Sequence, residues 1–171
     1  MKRITVIIIA AFLMTGISFA QKFAFVDTEY ILDRIPTYKS ALSQLDKISA
    51  DYQKEIETMY TQVDQLYKNY QKDKVLLTEE QKVKKEEEIV AKEKEIKDLQ
   101  KKYFGSDGAV FVKRQELVKP IQDEVYKAVK ELAIEGGYAV IFDTSSGAGI
   151  LYENPKYNLS DDILIKLGYK N

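Results

Sequence analysis

With no histidine and no cysteine, the chain has no imidazole base, no thiolate nucleophile and no ordinary zinc ligand set. Carboxylates remain. Paired acids can divide acid–base work when they converge on a substrate. Two groups have that composition: Asp161-Asp162 and Glu86-Glu87-Glu88. The first follows Ser160, where acids suit a helix N-terminus, and the second sits in a solvated charge run. There is no glycine-rich loop of the phosphate-cradling kind. This inventory predicts no catalytic site, no cofactor and no metal. Holding is the chemistry that is left.

The side chains suited to holding are aromatic and aliphatic. Twelve tyrosines are present, and tyrosine can bury an apolar ring while its hydroxyl stays wet, which favours weak contact with many partners. Tyr60 and Tyr67 sit seven residues apart and therefore share one helix face. With Tyr70, Leu76, Leu77, Val90 and Phe104 they are the candidate contacts for a bound chain.

These residues need a long scaffold. Between residues 37 and 135 the only helix-breakers are Gly105, Gly108 and Pro120. A stripe runs through Tyr38, Leu42, Leu45, Ile48, Tyr52, Ile56, Met59, Val63, Leu66 and Tyr70 at alternating steps of three and four, the signature of one helix face. Leu76-Leu77-Thr78 interrupts it, and Thr78-Glu-Glu-Gln81 is a capping box that restarts the helix. Folding back at that point brings Leu66 opposite Ile89, Met59 opposite Ile96, Ile56 opposite Leu99 and Tyr52 opposite Tyr103. An antiparallel two-helix coiled coil is expected, with its tip near 76–79. Gly105 and Gly108 are either a packing irregularity or a hinge for the arm, and Pro120 should bend the helix where it meets the base.

At the two ends of the sequence the pattern changes to short β-rich runs: residues 23–26, 138–142 and 149–152. Asp27 or Thr28 can cap a brief helix after the first run, Gly136-Gly137 closes the long helical stretch, and Ser160 is expected to cap a final helix ended by Gly168. So small a sheet is marginal alone and invites pairing between copies. Phe23, Phe25, Val140, Ile141, Phe142, Ile150 and Leu151 are the candidate body residues for that contact. The fold class is therefore α+β and mostly α: residues 21–36 begin the body, 37–117 form the hairpin arm, and 118–171 return to complete the body.

Residues 1–20 read as an export leader. Met1-Lys2-Arg3 is cationic, residues 4–14 are apolar and Ser18-Phe19-Ala20 offers small residues for cleavage after Ala20. Losing Lys2 and Arg3 leaves 24 bases against 27 acids, a net charge of −3. Nothing in that balance suits nucleic acid.

Several segments in this order resemble the OmpH (Skp-like) family of periplasmic chaperones. They are Phe25-Val-Asp-Thr-Glu-Tyr-Ile-Leu, Ile35-Pro-Thr-Tyr, Gln115-Glu-Leu-Val-Lys-Pro-Ile121, Gly137-Tyr-Ala-Val-Ile-Phe-Asp143, Ile150-Leu-Tyr and Leu159-Ser-Asp-Asp-Ile-Leu-Ile-Lys-Leu167. The resemblance implies a homotrimer with a β body and helical arms around a cavity. It further implies a periplasmic, ATP-independent holdase for unfolded outer-membrane proteins. The family's best-known member is strongly basic, whereas this chain is mildly acidic, which points away from capture by charge. Contact with a membrane surface is expected to be weak and not spanning. The competing readings are a coiled-coil spacer or adaptor of the cell envelope, which wants few aromatics off its seam, and a carboxylate enzyme, which needs acids converging in a pocket.

Overall fold

The computed structural model describes residues 21–147 and 149–169, so the leader lies outside the described residues. Strand β1 (Lys22–Val26) leads into α1 (Thr28–Asp33), whose cap is Asp27: its Oδ1 accepts the Tyr30 N–H at 2.9 Å. Helix α2 (Pro36–Asp73) carries Pro36 in its first turn, where a missing N–H costs nothing. Its 38 residues span about 57 Å at helical rise. After the tip, α3 (Glu79–Phe104) starts on Thr78 with both halves of the capping box formed. Helices α4 (Ala109–Leu117) and α5 (Lys119–Gly136) complete the return. Gly137, at φ 66°, closes α5 in the left-handed conformation that glycine adopts without strain. Strand β2 (Tyr138–Asp143) then pairs in parallel with β1, placing Phe23 beside Val140 and Phe25 beside Phe142, and α6 (Ser160–Lys166) packs on the body.

Two separate cores result. The body core gathers Ala24, Val26, Ile31, Ile35, Val125, Ala128, Ile163 and Leu164. The arm core gathers Ile56, Val63 and Tyr70 with Ile89 and Ile96, spaced by seven on each helix, as a coiled-coil seam requires. Met59, Leu66, Leu99 and Tyr103 flank it, and Tyr52 stacks on Tyr103 at 3.9 Å. All ten residues of the α2 stripe are buried or half-buried. Ion pairs along the arm, such as Lys92–Glu95 and Lys85–Glu88, are exposed neighbours on a single helix. Each is worth about 0.3–0.5 kcal/mol, whereas truncating a buried isoleucine such as Ile96 costs about 2–5 kcal/mol. The apolar seam decides the arm.

Two local expectations are corrected, on the third strand and on the Ser160 cap. Among the described residues the sheet has two strands, because Ile150, Leu151 and Tyr152 pair with none of them, and Leu151 is fully exposed. Ser160 does not cap α6: its Oγ accepts the Asp27 N–H at 2.8 Å, tying the helix to β1, and Asn158 Oδ1 takes the Ser160 N–H at 2.9 Å. The return arm is three helices. It breaks at Gly105 and Gly108, where a Cβ would lie 2.4 Å from the Lys101 carbonyl oxygen and 2.6 Å from that of Tyr103. It bends again at Val118, just before Pro120.

Cysteines placed at Met59 and Ile96 should form a disulfide within one chain under mild oxidation. A single straight rod would hold them about 55 Å apart, so cross-links found only between chains would reject the hairpin. Non-reducing electrophoresis at high dilution reads the difference.

Candidate functional site

With the seam dry, the remaining apolar residues of the arm point elsewhere. Tyr60 and Tyr67 are 48% and 51% exposed, and Val90 and Phe104 are also open. Tyr60 and Phe104, from the two helices, line one groove of about 310 Å³ with Gln53, Glu57 and Gln100 at its margins. At the tip Leu76 is exposed, and so is Val75, which sequence reasoning passed over. On α4, half-exposed Val112 was likewise missed, and Phe111, whose spacing reads as the stripe resuming beyond the two glycines, is corrected: it is half-exposed and outside the seam core.

Two of the expected contact residues are corrected. Tyr70 is 5% exposed and belongs to the seam, as its spacing of seven from Ile56 and Val63 demands. Leu77 is half-buried and packs against the same core, closing its distal end. Neither offers a free surface on the arm.

Alternation sorts the body residues onto two faces of the sheet. Ala24, Val26 and Ile141 turn inward to the body core. Phe23, Phe25, Val140 and Phe142 turn outward, where the Phe142 ring sits 6.4 Å from Phe23 and 5.8 Å from Phe25. Phe23, Phe25 and Phe142 line an open cavity of about 840 Å³ with Tyr138, Tyr157, Gln21, Lys22 and Lys156. Ile150 is half-buried and Leu151 wholly exposed in the unpaired segment beside the body. The loop after β2 is held by Asp143, which accepts from the Thr28 N–H and Oγ1 and from the Ser145 N–H and Oγ at 2.8–3.2 Å. Burial alone would raise this carboxyl, but those four bonds outweigh it and hold its pKa below the usual carboxylate range.

The candidate acids do not converge. Asp161 accepts from the Tyr30 hydroxyl at the body, while Glu86 accepts from Tyr70 and Glu88 pairs with Lys85 far along the arm. Among the described residues no cluster of three or more potential metal ligands exists, and no helix is long and apolar enough to cross a membrane.

A hairpin arm with a dry seam, on a parallel two-strand body, is an architecture with known counterparts. Residues 22–167 match the family described as outer membrane protein (OmpH-like). The chain belongs to the OmpH family. An uncharacterised protein of Aquifex aeolicus is 30% identical over 155 residues, covering 91% of each chain. A crystal structure from Caulobacter crescentus, described as an outer membrane chaperone (OmpH-like), superposes with a TM-score of 0.67. That match covers 86% of this chain and 84% of the other at 13% identity, a likeness of fold.

Two tyrosine–carboxylate bonds stitch this OmpH-family arm across its seam. The Tyr70 hydroxyl donates to Glu86, and the Tyr103 hydroxyl donates to Glu55 at 2.8 Å. Ionising either phenol would break its bond and set two negative charges together. The Tyr70 pKa is accordingly pushed up to about 12, by the Glu86 bond first and burial second, and that of Tyr103 is raised for the same reasons. A pKa raised in the folded arm stabilises fully below the unfolded value of about 10 and is lost as pH climbs through the folded value. Thermal melts should therefore show stability falling between pH of about 10 and about 12. Tyr70→Phe should make that fall shallower and remove the phenol that titrates near 12 in ultraviolet absorbance. Loss of a phenol titrating near the ordinary value of about 10 instead would deny the Tyr70–Glu86 bond.

Proposed function

We propose that this chain is an ATP-independent periplasmic holdase that shelters unfolded outer-membrane proteins between arms of a homotrimer. One observation carries the reading: aromatic and aliphatic side chains stand exposed off the seam on both helices, Tyr60, Tyr67, Val90 and Phe104 among them, although the seam itself is closed. A spacer coiled coil has no use for them. Membership of the OmpH family and the fold shared with a chain described as an outer membrane chaperone support the same reading.

Contact of this kind is weak at each residue and summed over several arms, so affinity comes from multivalency, with no tight pocket. Release then needs no nucleotide. The arm pivots near Gly105 and Gly108 in this reading: α4 buries none of its residues, and the arm and body cores on either side are separate. The outward face of Phe23, Phe25, Val140 and Phe142 joins the subunits, with the unpaired segment at Ile150 and Leu151 adding to a neighbouring sheet edge. The leader directs export and is cleaved after Ala20.

Replacing Tyr60 and Tyr67 together with Ser should weaken suppression of aggregation of an unfolded outer-membrane barrel, with helicity and oligomer mass unchanged. Both rings are half-exposed, so stability should move by less than about 0.5 kcal/mol. Net charge being slightly negative, binding should depend little on salt. Full activity in the double variant, with binding that collapses at physiological salt, would mean that charge captures the client.

Assembly has its own test. Phe142→Asp places a charge on the outward face and should yield single chains in light scattering with their helicity intact. Ile141 is unsuited to this purpose, since it packs against its own chain's core. A trimer that survives Phe142→Asp would place the subunit contact elsewhere.

A further inference from the structure

Tyr60 and Phe104 enter one groove from opposite helices, and a ring contact fixes their levels along the arm. Tyr52 stacks on Tyr103 at 3.9 Å, so Phe104 lies level with residue 51 of α2, nine positions from Tyr60. Nine positions are about 13.5 Å at helical rise. Side chains lean toward the N-terminus of their own helix, which in an antiparallel pair brings these two rings closer still. The floor between them is buried Ile56, and the margins are Gln53, Glu57 and Gln100. Among the described residues neither glutamine amide has a hydrogen-bond partner, and Glu57 is in no ion pair.

An extended segment matches this lining in three respects. Both rings face the same groove, so a strand laid along it engages them only with residues of one face. Those residues stand about 6.8 Å apart at i and i+2 and about 13.6 Å apart at i and i+4, which brackets the ring separation. An unpaired strand also offers free N–H and C=O groups, and each glutamine amide has donors and an acceptor to meet them. A helix has already bonded its own backbone and has nothing to offer those amides. Finally, the one formal charge in the lining is Glu57, so the groove repels acidic segments and admits neutral or basic ones.

We propose that the Tyr60–Phe104 groove is a strand-reading subsite: it takes extended segments whose apolar residues alternate, while Gln53 and Gln100 bond their main chain. The inference rests on the reading of the arm as a holdase for outer-membrane chains, and names the feature of those chains that is held. Strands of outer-membrane barrels are such segments, about ten residues of alternating hydrophobicity, and a main chain is common to every sequence. The groove selects pattern without selecting sequence. A strand held this way is also kept from pairing with another, because the backbone groups that would pair are the ones bound.

The test measures binding of three soluble peptides of about ten residues, built from the same leucines, serines and lysines, by fluorescence anisotropy. One alternates, one is permuted to the apolar spacing of a helix, and one alternates but is N-methylated at its central amides. The alternating peptide is expected to bind about tenfold tighter than either of the others, the worth of about two net hydrogen bonds. Gln53→Leu with Gln100→Leu should erase the difference made by methylation; both glutamines are exposed, so the fold is kept. Tyr60→Ser with Phe104→Ser should erase the preference for alternation. Equal binding of the alternating and permuted peptides overturns the proposal, and so does a methylation penalty that survives in the glutamine variant. A protein that fails to suppress aggregation of an unfolded outer-membrane barrel defeats the holdase reading, and the proposal falls with it. Suppression without discrimination among the peptides overturns the proposal alone.

Discussion

Every exposed feature of this protein depends on one buried contact, the seam at Ile56, Val63 and Tyr70 against Ile89 and Ile96. An isolated helix of 38 residues in water gains little from its own hydrogen bonds and depends on packing an apolar stripe. Here the two halves of the chain supply each other's stripe. The charged residues around it contribute solubility and a few tenths of a kcal/mol each. The seam also frees the tyrosines: because burial is satisfied along one face, rings at other positions can stand in solvent without threatening the fold.

The two ends of the molecule handle apolar surface in opposite ways. In the arm, apolar groups off the seam are scattered along its length, suited to repeated weak contact. In the body they are gathered on one sheet face around Phe142. Gathered surface favours one tight partner, and scattered surface favours many loose ones. That contrast is the physical basis for assigning assembly to the body and client contact to the arm. Between them, the break at Gly105 and Gly108 separates the two cores.

The hairpin was legible in the sequence because its signals are local and periodic. The stripe of α2, the Thr78 capping box and the opposition of Tyr52 to Tyr103 all follow from spacing alone. The same spacing marked Tyr70 as a seam residue, yet its aromatic character drew it into the set of client contacts, and burial shows that periodicity was the better guide. The body was harder to read. Its tie from Ser160 to the Asp27 amide spans 133 positions, and no local rule announces it. The segment at Ile150–Leu151–Tyr152 has strand composition, but a strand needs a partner, and none lies within this chain's described residues. Family membership was legible from the order of the short segments around the hairpin, which the match over residues 22–167 bears out.

The central claim is that the off-seam face of the arm, and not its seam or its charge, meets unfolded chains. Site-specific photo-crosslinking tests it most directly. A photoreactive residue is placed in turn at Tyr60, at Val90 and at the half-buried seam position Leu99, and each protein is irradiated with an unfolded outer-membrane barrel. The account predicts adducts from Tyr60 and Val90 and almost none from Leu99, at both low and physiological salt. Adducts from all three positions alike, or adducts that vanish with salt, would contradict it.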